Sequence, residues 1–291
     1  GAGALRPCTC LPPAGVGLTM DGPAHPAISD LTVHAAVFSM PVDDELRSTT
    51  IRLWSFQRPH MRAFHMSWIS FFVAFLGWFS LSPLIPLVRV SMGLCANGGW
   101  DDFEHASECV CDVKCQRQLW TSDTVSFAGT IVSRLVIGAV LEGSGPRICQ
   151  ACLLMAGALP LALVGVSTTM TQLTVTRFFL GLVGATFVPS QYWTTCMFAP
   201  NVVGAATSTA AGWGNLGAAA AAVLVPWMVT WFSPMGVIDG DSAWRGVPPI
   251  LAAIMVVLAP LLLLYSDDLP SGPYREQFQA MGSAPGRGES I

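Results

Sequence analysis

The stretch AAGWGNLGAAAAA, Ala210–Ala222, decides the fold, because it lies inside a long apolar segment, Val203–Phe232. A helix that crosses a bilayer needs roughly 20 predominantly apolar residues, and this segment exceeds that length. The stretch holds three glycines around one tryptophan and one asparagine, and a run of alanines follows. Small residues allow a second helix to approach closely. Asn215 is therefore predicted to point its amide into the gap between membrane helices.

The composition of the whole chain also indicates a membrane protein. Of its 291 residues, 52% are hydrophobic and only 11% are charged, and the mean hydropathy is +0.55. Average soluble domains carry about 25% charged residues. No basic stripe that would indicate nucleic-acid binding is present, and no strand pattern appears. We predict an all-α membrane protein with six transmembrane helices, numbered here as the first to sixth spans: Ser67–Val90, Thr124–Leu141, Ile148–Val166, Leu173–Phe198, Val203–Phe232 and Val247–Tyr265.

Lysine and arginine residues outside the spans predict the orientation. Seven lie on the side of the two termini and four on the opposite side, so the positive-inside rule predicts cytoplasmic termini. The predicted organisation is a largely disordered cytoplasmic segment over 1–57, a six-helix bundle over 58–266 and a cytoplasmic segment over 267–291. A cysteine-rich extracytoplasmic loop is predicted over 91–121. Prolines in the two long spans, Pro189 and Pro226, are expected to kink them.

Two arginines, Arg134 and Arg177, lie within the second and fourth spans. Ionisable groups at membrane depth are costly and mark a transport pathway or a buried pair. No Asp or Glu lies within the apolar body of any span, since Asp123 and Glu142 flank the second. A guanidinium without a carboxylate requires another anion, and its parallel N–H donors suit a small planar oxyanion. In the alternative interpretation, the arginines bond backbone carbonyls at helix breaks and only hold the bundle together.

The amide of Asn215 has two interpretations as well. Beside an arginine, its donors can complete the hydrogen bonds of an oxyanion without adding charge. Alternatively, it forms an interhelical hydrogen bond within a packing motif of small residues.

The cysteines favour disulfides over a metal site. Cys95, Cys109, Cys111 and Cys115 lie in the predicted extracytoplasmic loop, where cysteines tend to pair. A metal cluster that includes the nearby His105 is the alternative, but the C-x-C-x3-C spacing is not a standard zinc pattern. We predict one or two disulfides among these four, and no metal or cofactor. Five further cysteines are expected to be free thiols: Cys8, Cys10, Cys149, Cys152 and Cys196.

Several stretches carry a resemblance to a known family: FSMPVDDELRSTTIRLWSFQRPHMRAFHMSWISFF, GTIVSRLVIGAVLEGSGPR, TRFFLGLVGATFVPSQYWTTCMF, AAGWGNLG and SDDLPSGPY. In this order, they resemble parts of the nitrate/nitrite porter family, a branch of the major facilitator superfamily. These parts are the approach to the first helix, the second helix with its loop, the fourth helix, the fifth-helix signature and the segment after the sixth. The likeness is greatest to eukaryotic high-affinity nitrate transporters and covers Val37 to Tyr274. It implies the N-terminal half of a major facilitator fold.

The resemblance implies a nitrate-binding site. Arg134 stands where the family has a second-helix arginine that pairs with an arginine of the other half to clamp nitrate. Asn215 matches an asparagine that lines the same site, and Thr130 lies one turn before Arg134. Gly212 and Gly214 belong to the fifth-helix signature and are expected at the site too.

Other residues take expectations from the resemblance. An aromatic ring packs over the anion in the family, and Phe75 or Phe79 can supply it. Arg177 matches a fourth-helix arginine for which a structural or coupling role is expected. In the loop after the second helix, the resemblance assigns Gly138 to close packing, Gly145 to a turn and Arg147 to a charge contact that holds the outward-open state. Glu142 stands there in place of the usual Asp.

The family fold has two six-helix halves, with substrate between them. The chain is therefore expected to be an incomplete record of a roughly twice-longer transporter, or else to pair with a second chain, and an accessory subunit is a further candidate partner. The expected activity is uptake of nitrate or nitrite by proton symport, at the plasma membrane. The alternatives are a carrier of another small anion, a half-length regulatory membrane protein, and a membrane enzyme, for which no catalytic set is visible in the spans.

Overall fold

The computed structural model describes residues 39–96, 109–232 and 243–275. In these ranges the chain is helical, without a strand, and six segments are long and apolar enough to cross a membrane. The prediction of six spans is therefore confirmed. The observed spans are His60–Ser91, Val113–Ser144, Pro146–Val166, Met170–Met197, Val203–Trp231 and Trp244–Tyr265.

Two of the spans are interrupted by short 3-10 segments. The helical bounds along the chain are His60–Phe79, Ser82–Leu84 (3-10), Ile85–Ser91, Val113–Ser144, Pro146–Val166, Met170–Leu180, Gly181–Thr186 (3-10), Phe187–Met197, Val203–Phe232 and Ala243–Tyr265.

The second span starts at Val113, eleven residues before the predicted Thr124. Asp112 caps this helix, because its carboxylate accepts a hydrogen bond of 2.8 Å from the backbone N–H of Cys115. The first turns of the second span are helical although their side chains are mostly polar. Asp123, expected to flank the span, consequently lies inside the helix.

The fourth span breaks at Gly181–Thr186, before Pro189 rather than at it. Pro189 lies in the first turn of Phe187–Met197, where the N–H that proline lacks has no helical partner in any case. Pro226 lies inside the fifth-span helix, which continues past it to Phe232.

The spans pack mainly in pairs: the first against the fifth, the second against the fourth and the third against the sixth. Glycines permit the closest approaches. A Cβ added to Gly217 would lie 2.1 Å from the carbonyl oxygen of Phe72, and one added to Gly181 would lie 2.1 Å from that of Ser126. Any larger residue at these positions would separate the two helices of a pair.

The approach to the first span is ordered where the structure describes it. Ser48 is fully buried, its N–H donates to the carbonyl of Met197, and its carbonyl accepts from the N–H of Ala199. Within residues 39–57, which belong to the segment predicted to be largely disordered over 1–57, Ser48 is thus packed while Trp54 is 97% exposed. That expectation otherwise falls on residues 1–38, which lie outside the described ranges.

The second and fifth spans present an open face. Only 28% of the most apolar window of each is buried, compared with 56–61% for the first, third and fourth spans. Large apolar side chains of these two spans are exposed, among them Phe127, Ile131, Leu135, Leu216 and Val223.

Candidate anion-binding site

A cavity of about 410 Å³ lies between the first, second, fourth and fifth spans. It brings together three of the residues predicted to bind substrate, Thr130, Arg134 and Asn215, and both candidate aromatics of the first span. The full lining is Phe75, Trp78, Phe79, Phe127, Thr130, Ile131, Arg134, Phe187 and Asn215.

Arg134 is held at the helix break of the fourth span. Its Nε and Nη2 donate to the carbonyl oxygen of Gly184 over 3.2 and 3.1 Å, and its Cζ lies 5.5 Å from the centroid of the Phe187 ring. Among the described residues, no carboxylate forms an ion pair with it. A guanidinium has five N–H donors, so three remain for a ligand. The contact predicted for a merely structural arginine is present, and it leaves the positive charge uncompensated.

Gly184 makes this contact possible. A Cβ at this position would lie 2.6 Å from Cγ2 of Thr130 and 2.9 Å from Cζ3 of Trp78. The glycine lies in the 3-10 segment of the fourth span, where backbone carbonyls lack regular α-helical partners. The second span can therefore bring its arginine onto the carbonyl of Gly184.

Thr130 links the second and fourth spans. Its Oγ1 donates to the carbonyl oxygen of Gly181 over 2.7 Å, and the side chain is buried. Because the hydroxyl proton is engaged there, Thr130 has no donor for an anion in this arrangement. Its contribution to the cavity is to fix the spacing of the two spans beside Arg134.

Asn215 faces the cavity, but its two glycine neighbours do not. Its Nδ2 donates to the carbonyl of Ala211 over 2.8 Å, which uses one of its two N–H donors. Gly214 packs against the first span, since a Cβ there would lie 1.8 Å from Cδ1 of Phe71. Gly212 is exposed, and a Cβ added there would meet no described atom within 4 Å. The glycines expected at the site are therefore absent from the described lining of the cavity.

The two membrane arginines differ in their charge partners. Arg177 is 7% exposed, its Nη2 lies 2.6 Å from Oδ1 of Asp123, and its Nη1 donates to Oγ of Ser122 over 3.3 Å. The expectation that both arginines lack a carboxylate is wrong for Arg177. The cause is the longer second helix, which carries Asp123 into the bundle.

Phe187 and Trp78 line the cavity and were not expected there. Trp78 donates from Nε1 to Oγ of Ser126 over 2.9 Å, which turns its ring toward the second span. Phe187 follows Gly184 by three residues and so lies on the same side of the fourth span. That spacing is the only sequence signal for it.

The loop after the second span contacts the segment that follows the sixth. Gly145 has φ of +82°, and a Cβ there would lie 2.8 Å from Tyr274. Nε of Arg147 lies 3.2 Å from Oδ1 of Asp268, an ion pair without hydrogen-bond alignment, and its Nη1 donates to the carbonyl of Ser266 over 2.9 Å. Burial raises the pKa of Asp268, and Arg147 opposes this shift.

Other predicted loop residues make fewer contacts. Glu142 is exposed and forms no ion pair with a described residue, and the charge partner of Arg147 comes from the segment after the sixth span. Gly138 has no described atom within 4 Å of an added Cβ, so close packing at that position is not observed.

The four cysteines between the first and second spans form two disulfides, Cys95–Cys109 and Cys111–Cys115. No metal-ligand cluster occurs in the described part of the chain, and His105 lies outside it. Cys149 and Cys152 are free, as expected, whereas Cys8 and Cys10 lie outside the described residues. Cys196 is disulfide-bonded, so the expectation of a free thiol there is wrong. Its position at the end of an apolar span gave no sign of a pairing partner.

Six helices long and apolar enough to cross a membrane, four of which line a cavity with an arginine in its wall, define a multi-pass membrane protein. Residues 67–285 match the sequence profile of the Major Facilitator Superfamily, and the chain belongs to this family.

The relatives of the chain are named as nitrate transporters rather than as enzymes. The chain is 32% identical over 257 residues to High affinity nitrate transporter 2.5 of Arabidopsis thaliana, covering 88% of the chain and 47% of that protein. It is 34% identical over 250 residues to High affinity nitrate transporter 2.7 of the same plant, covering 85% and 44%. With Nitrate/nitrite transporter NrtP of Nostoc punctiforme the identity is 27% over 235 residues, covering 80% and 42%. The chain spans slightly less than half the length of these relatives.

Proposed function

We propose that this chain provides the N-terminal, anion-binding half of a transporter that takes up nitrate, with nitrite as a second substrate. The observation that carries the proposal is the uncompensated guanidinium of Arg134 in a cavity of about 410 Å³. The relatives named for nitrate transport support the choice of anion.

The donors around the cavity suit a small planar oxyanion. Arg134 offers three unused N–H groups and Asn215 one, and all of them are donors toward an anion that only accepts hydrogen bonds. Phe187 already lies against the guanidinium, and Phe75 and Phe79 supply apolar walls. Arg134 and Asn215 are exposed in the described chain, so a low dielectric strengthens the attraction between the guanidinium and the anion once a second half covers the cavity. The site attracts negative charge without a metal.

The rest of the binding site is proposed to come from outside the described residues. The cavity lies beside the open face of the second and fifth spans. We propose that a C-terminal half, or a second chain, covers this face and supplies the second arginine of a nitrate clamp. Alternating access then follows from rocking of the two halves about the site. An accessory subunit, location in the plasma membrane and cytoplasmic termini remain part of this proposal.

Uptake requires an energy source. Moving one negative charge into a cell against an interior-negative potential costs about 2.3 kcal/mol per 100 mV. We propose symport with more than one proton per nitrate, so that each cycle moves net positive charge inward.

The test is nitrate uptake by cells that lack their own nitrate uptake and express the complete gene. We expect Arg134→Lys and Asn215→Ala to abolish saturable uptake while surface expression persists. Lysine keeps the charge but cannot present parallel donors to two oxygens.

Matched controls separate the site from general damage. Arg245→Lys alters an arginine that bonds the carbonyls of Gly165 and Ser167, and Asn201→Ala alters an asparagine that bonds the carbonyl of Thr49. Both contacts are remote from the cavity lining, so both variants should retain uptake.

Normal uptake by the Arg134 and Asn215 variants would refute the site. Absence of nitrate uptake by the unmodified protein would refute the function, and uptake of a different anion would favour the second candidate, another small-anion carrier.

A further inference from the structure

We propose that Ser126 is a positioning residue that sets the preference of the cavity for nitrate over nitrite, because it holds the indole N–H of Trp78 away from the anion. This inference rests on the proposed function and names a determinant of its substrate choice. Nε1 of Trp78 donates to Oγ of Ser126 over 2.9 Å, and both side chains are buried. The bond joins the first span to the second beside the cavity.

Trp78 is the centre of the aromatic wall of the cavity. Its ring centroid lies 5.3, 4.8 and 5.6 Å from the ring centroids of three other lining residues: Phe75, Phe79 and Phe127. A Cβ at Gly184, whose carbonyl holds Arg134, would lie 2.9 Å from Cζ3 of Trp78. The hydrogen bond to Ser126 therefore fixes the ring that contacts both the aromatic wall and the residue that holds the arginine.

Two polar residues of the cavity lining keep their donors away from its interior. The polar residues of the lining are Trp78, Thr130, Arg134 and Asn215. Thr130 donates to the carbonyl of Gly181, and Trp78 donates to Ser126. An anion in the cavity thus meets the unused N–H groups of Arg134 and Asn215, together with apolar walls.

Nitrate and nitrite differ in how strongly they accept hydrogen bonds. Nitrite is the stronger base, so it gains more than nitrate from each added donor, and it also loses more on leaving water. A pocket with few donors and apolar walls leaves that loss uncompensated for nitrite. Holding back the indole N–H therefore favours nitrate.

Removal of the acceptor releases this donor. In Ser126→Ala the indole N–H has no partner at its present position, and a buried donor without a partner is unfavourable. The N–H regains a partner when the ring turns it toward an anion in the cavity. Because nitrite is the better acceptor, the released donor stabilises bound nitrite more than bound nitrate.

The test is made in cells expressing the complete gene, and it measures the inhibition constant of nitrite against nitrate uptake, divided by the KM for nitrate. A hydrogen bond to a charged group changes affinity by about tenfold or more, and nitrate shares part of this gain, so we expect the ratio to fall about threefold in Ser126→Ala. The matched control is Ser133→Ala, a buried second-span serine whose hydroxyl donates to the carbonyl of Thr130 on its own helix. Its ratio should equal that of the unmodified protein.

Variants of Trp78 separate the released donor from a displaced ring. Trp78→Phe removes the N–H and keeps an aromatic ring, so the ratio should stay near that of the unmodified protein even though the smaller ring raises the KM for nitrate. The double variant S126A/W78F should have the ratio of W78F, because no donor remains to be released.

The outcomes are distinguishable. A ratio that falls equally in W78F and S126A shows that the ring position sets the preference, and it overturns the inference. An unchanged ratio in S126A, or loss of all uptake by S126A at the membrane, overturns it as well while leaving nitrate transport by the unmodified protein intact. No nitrate transport by the unmodified protein overturns the proposed function instead.

A second variant covers a failure of S126A to reach the membrane. Ser126→Cys, whose sulfur is only a weak acceptor, is then measured in its place, and the same fall of the ratio is expected. Failure of both variants to reach the membrane makes Ser126 a requirement of folding and also overturns the inference.

Discussion

Two glycines of the fifth span, Gly212 and Gly214, are predicted to respond in opposite ways to substitution by alanine. A Cβ at Gly214 would lie 1.8 Å from Cδ1 and 2.5 Å from Cε1 of Phe71, where carbon atoms normally approach to about 3.5–4.0 Å. Phe71 is fully buried, and its ring lies 4.4 Å from that of Phe75 and 5.8 Å from that of Phe187, centroid to centroid. The ring cannot move without displacing two aromatics that line the cavity.

The magnitude follows from the difference between the two sites. Overpacking a buried site costs about 1–3 kcal/mol, sometimes more. Alanine is also about 0.5–1 kcal/mol better than glycine inside a helix, but both variants receive this gain, so it cancels in the comparison. We therefore expect Gly214→Ala to be about 1–3 kcal/mol less stable than Gly212→Ala, whose added methyl meets no described atom within 4 Å.

The assay is thermal unfolding of both variants in the same detergent, with nitrate uptake measured in parallel. For a chain of this size, 1 kcal/mol corresponds to roughly 2–4 °C in the midpoint. Gly214→Ala should unfold at a lower temperature and lose uptake through the displaced rings, whereas Gly212→Ala should match or exceed the unmodified protein. Equal midpoints would refute the packing role of Gly214. Loss of uptake in a stable Gly212→Ala variant would restore the sequence-based assignment of Gly212 to the anion site.

Two further predictions concern the two ends of the bundle. Because burial raises the pKa of Asp268 above its ordinary value of 3.8, the native state binds this proton more tightly than the unfolded chain. That contribution to stability is fully present below pH 3.8 and is lost as the pH rises through the higher native pKa. Asp268→Asn should remove this part of the pH dependence of the unfolding midpoint. An unchanged pH profile of the midpoint would contradict the prediction. At the opposite end of the bundle, the cysteines of the disulfide Cys95–Cys109 are 14 residues apart. Replacing both with serine should lower the free energy of unfolding by about 3 kcal/mol, measured as a lower unfolding midpoint than that of the unmodified protein, and an equal midpoint would contradict it.

The helix content and the number of spans follow from the sequence, because apolar segments of this length have few other options in a bilayer. Helix ends are harder to predict from hydropathy. A hydropathy window measures the contact of side chains with lipid, whereas a helix continues wherever its backbone bonds are satisfied. For the second span the earlier start was visible in a different signal, the capping carboxylate of Asp112. Reading that cap would have placed Asp123 within the helix.

The proposed anion site was predictable in part. One cavity is lined by Thr130, Arg134 and Asn215. Each lies on the face of its span that carries small or polar neighbours, and this periodicity can be recognised from a single sequence. The contribution of Phe187 depends on the 3-10 break at Gly181–Thr186, which shifts the rotational phase of the second part of the fourth span. The local sequence does not indicate by what angle such a break rotates the helix that follows.

The different partners of the two membrane arginines could not be predicted from the local sequence. Arg134 and Arg177 have the same kind of neighbours, a threonine and a glycine one turn away, and local sequence gives them equal claims to a substrate. Their difference arises across the helix pair: one faces a backbone carbonyl and an aromatic ring, and the other faces a carboxylate. Neutralisation within the protein removes an arginine from the set that needs an external anion. The packing that holds Asp123 against Arg177 therefore separates the two arginines, because it leaves Arg134 as the one of the pair without a carboxylate among the described residues.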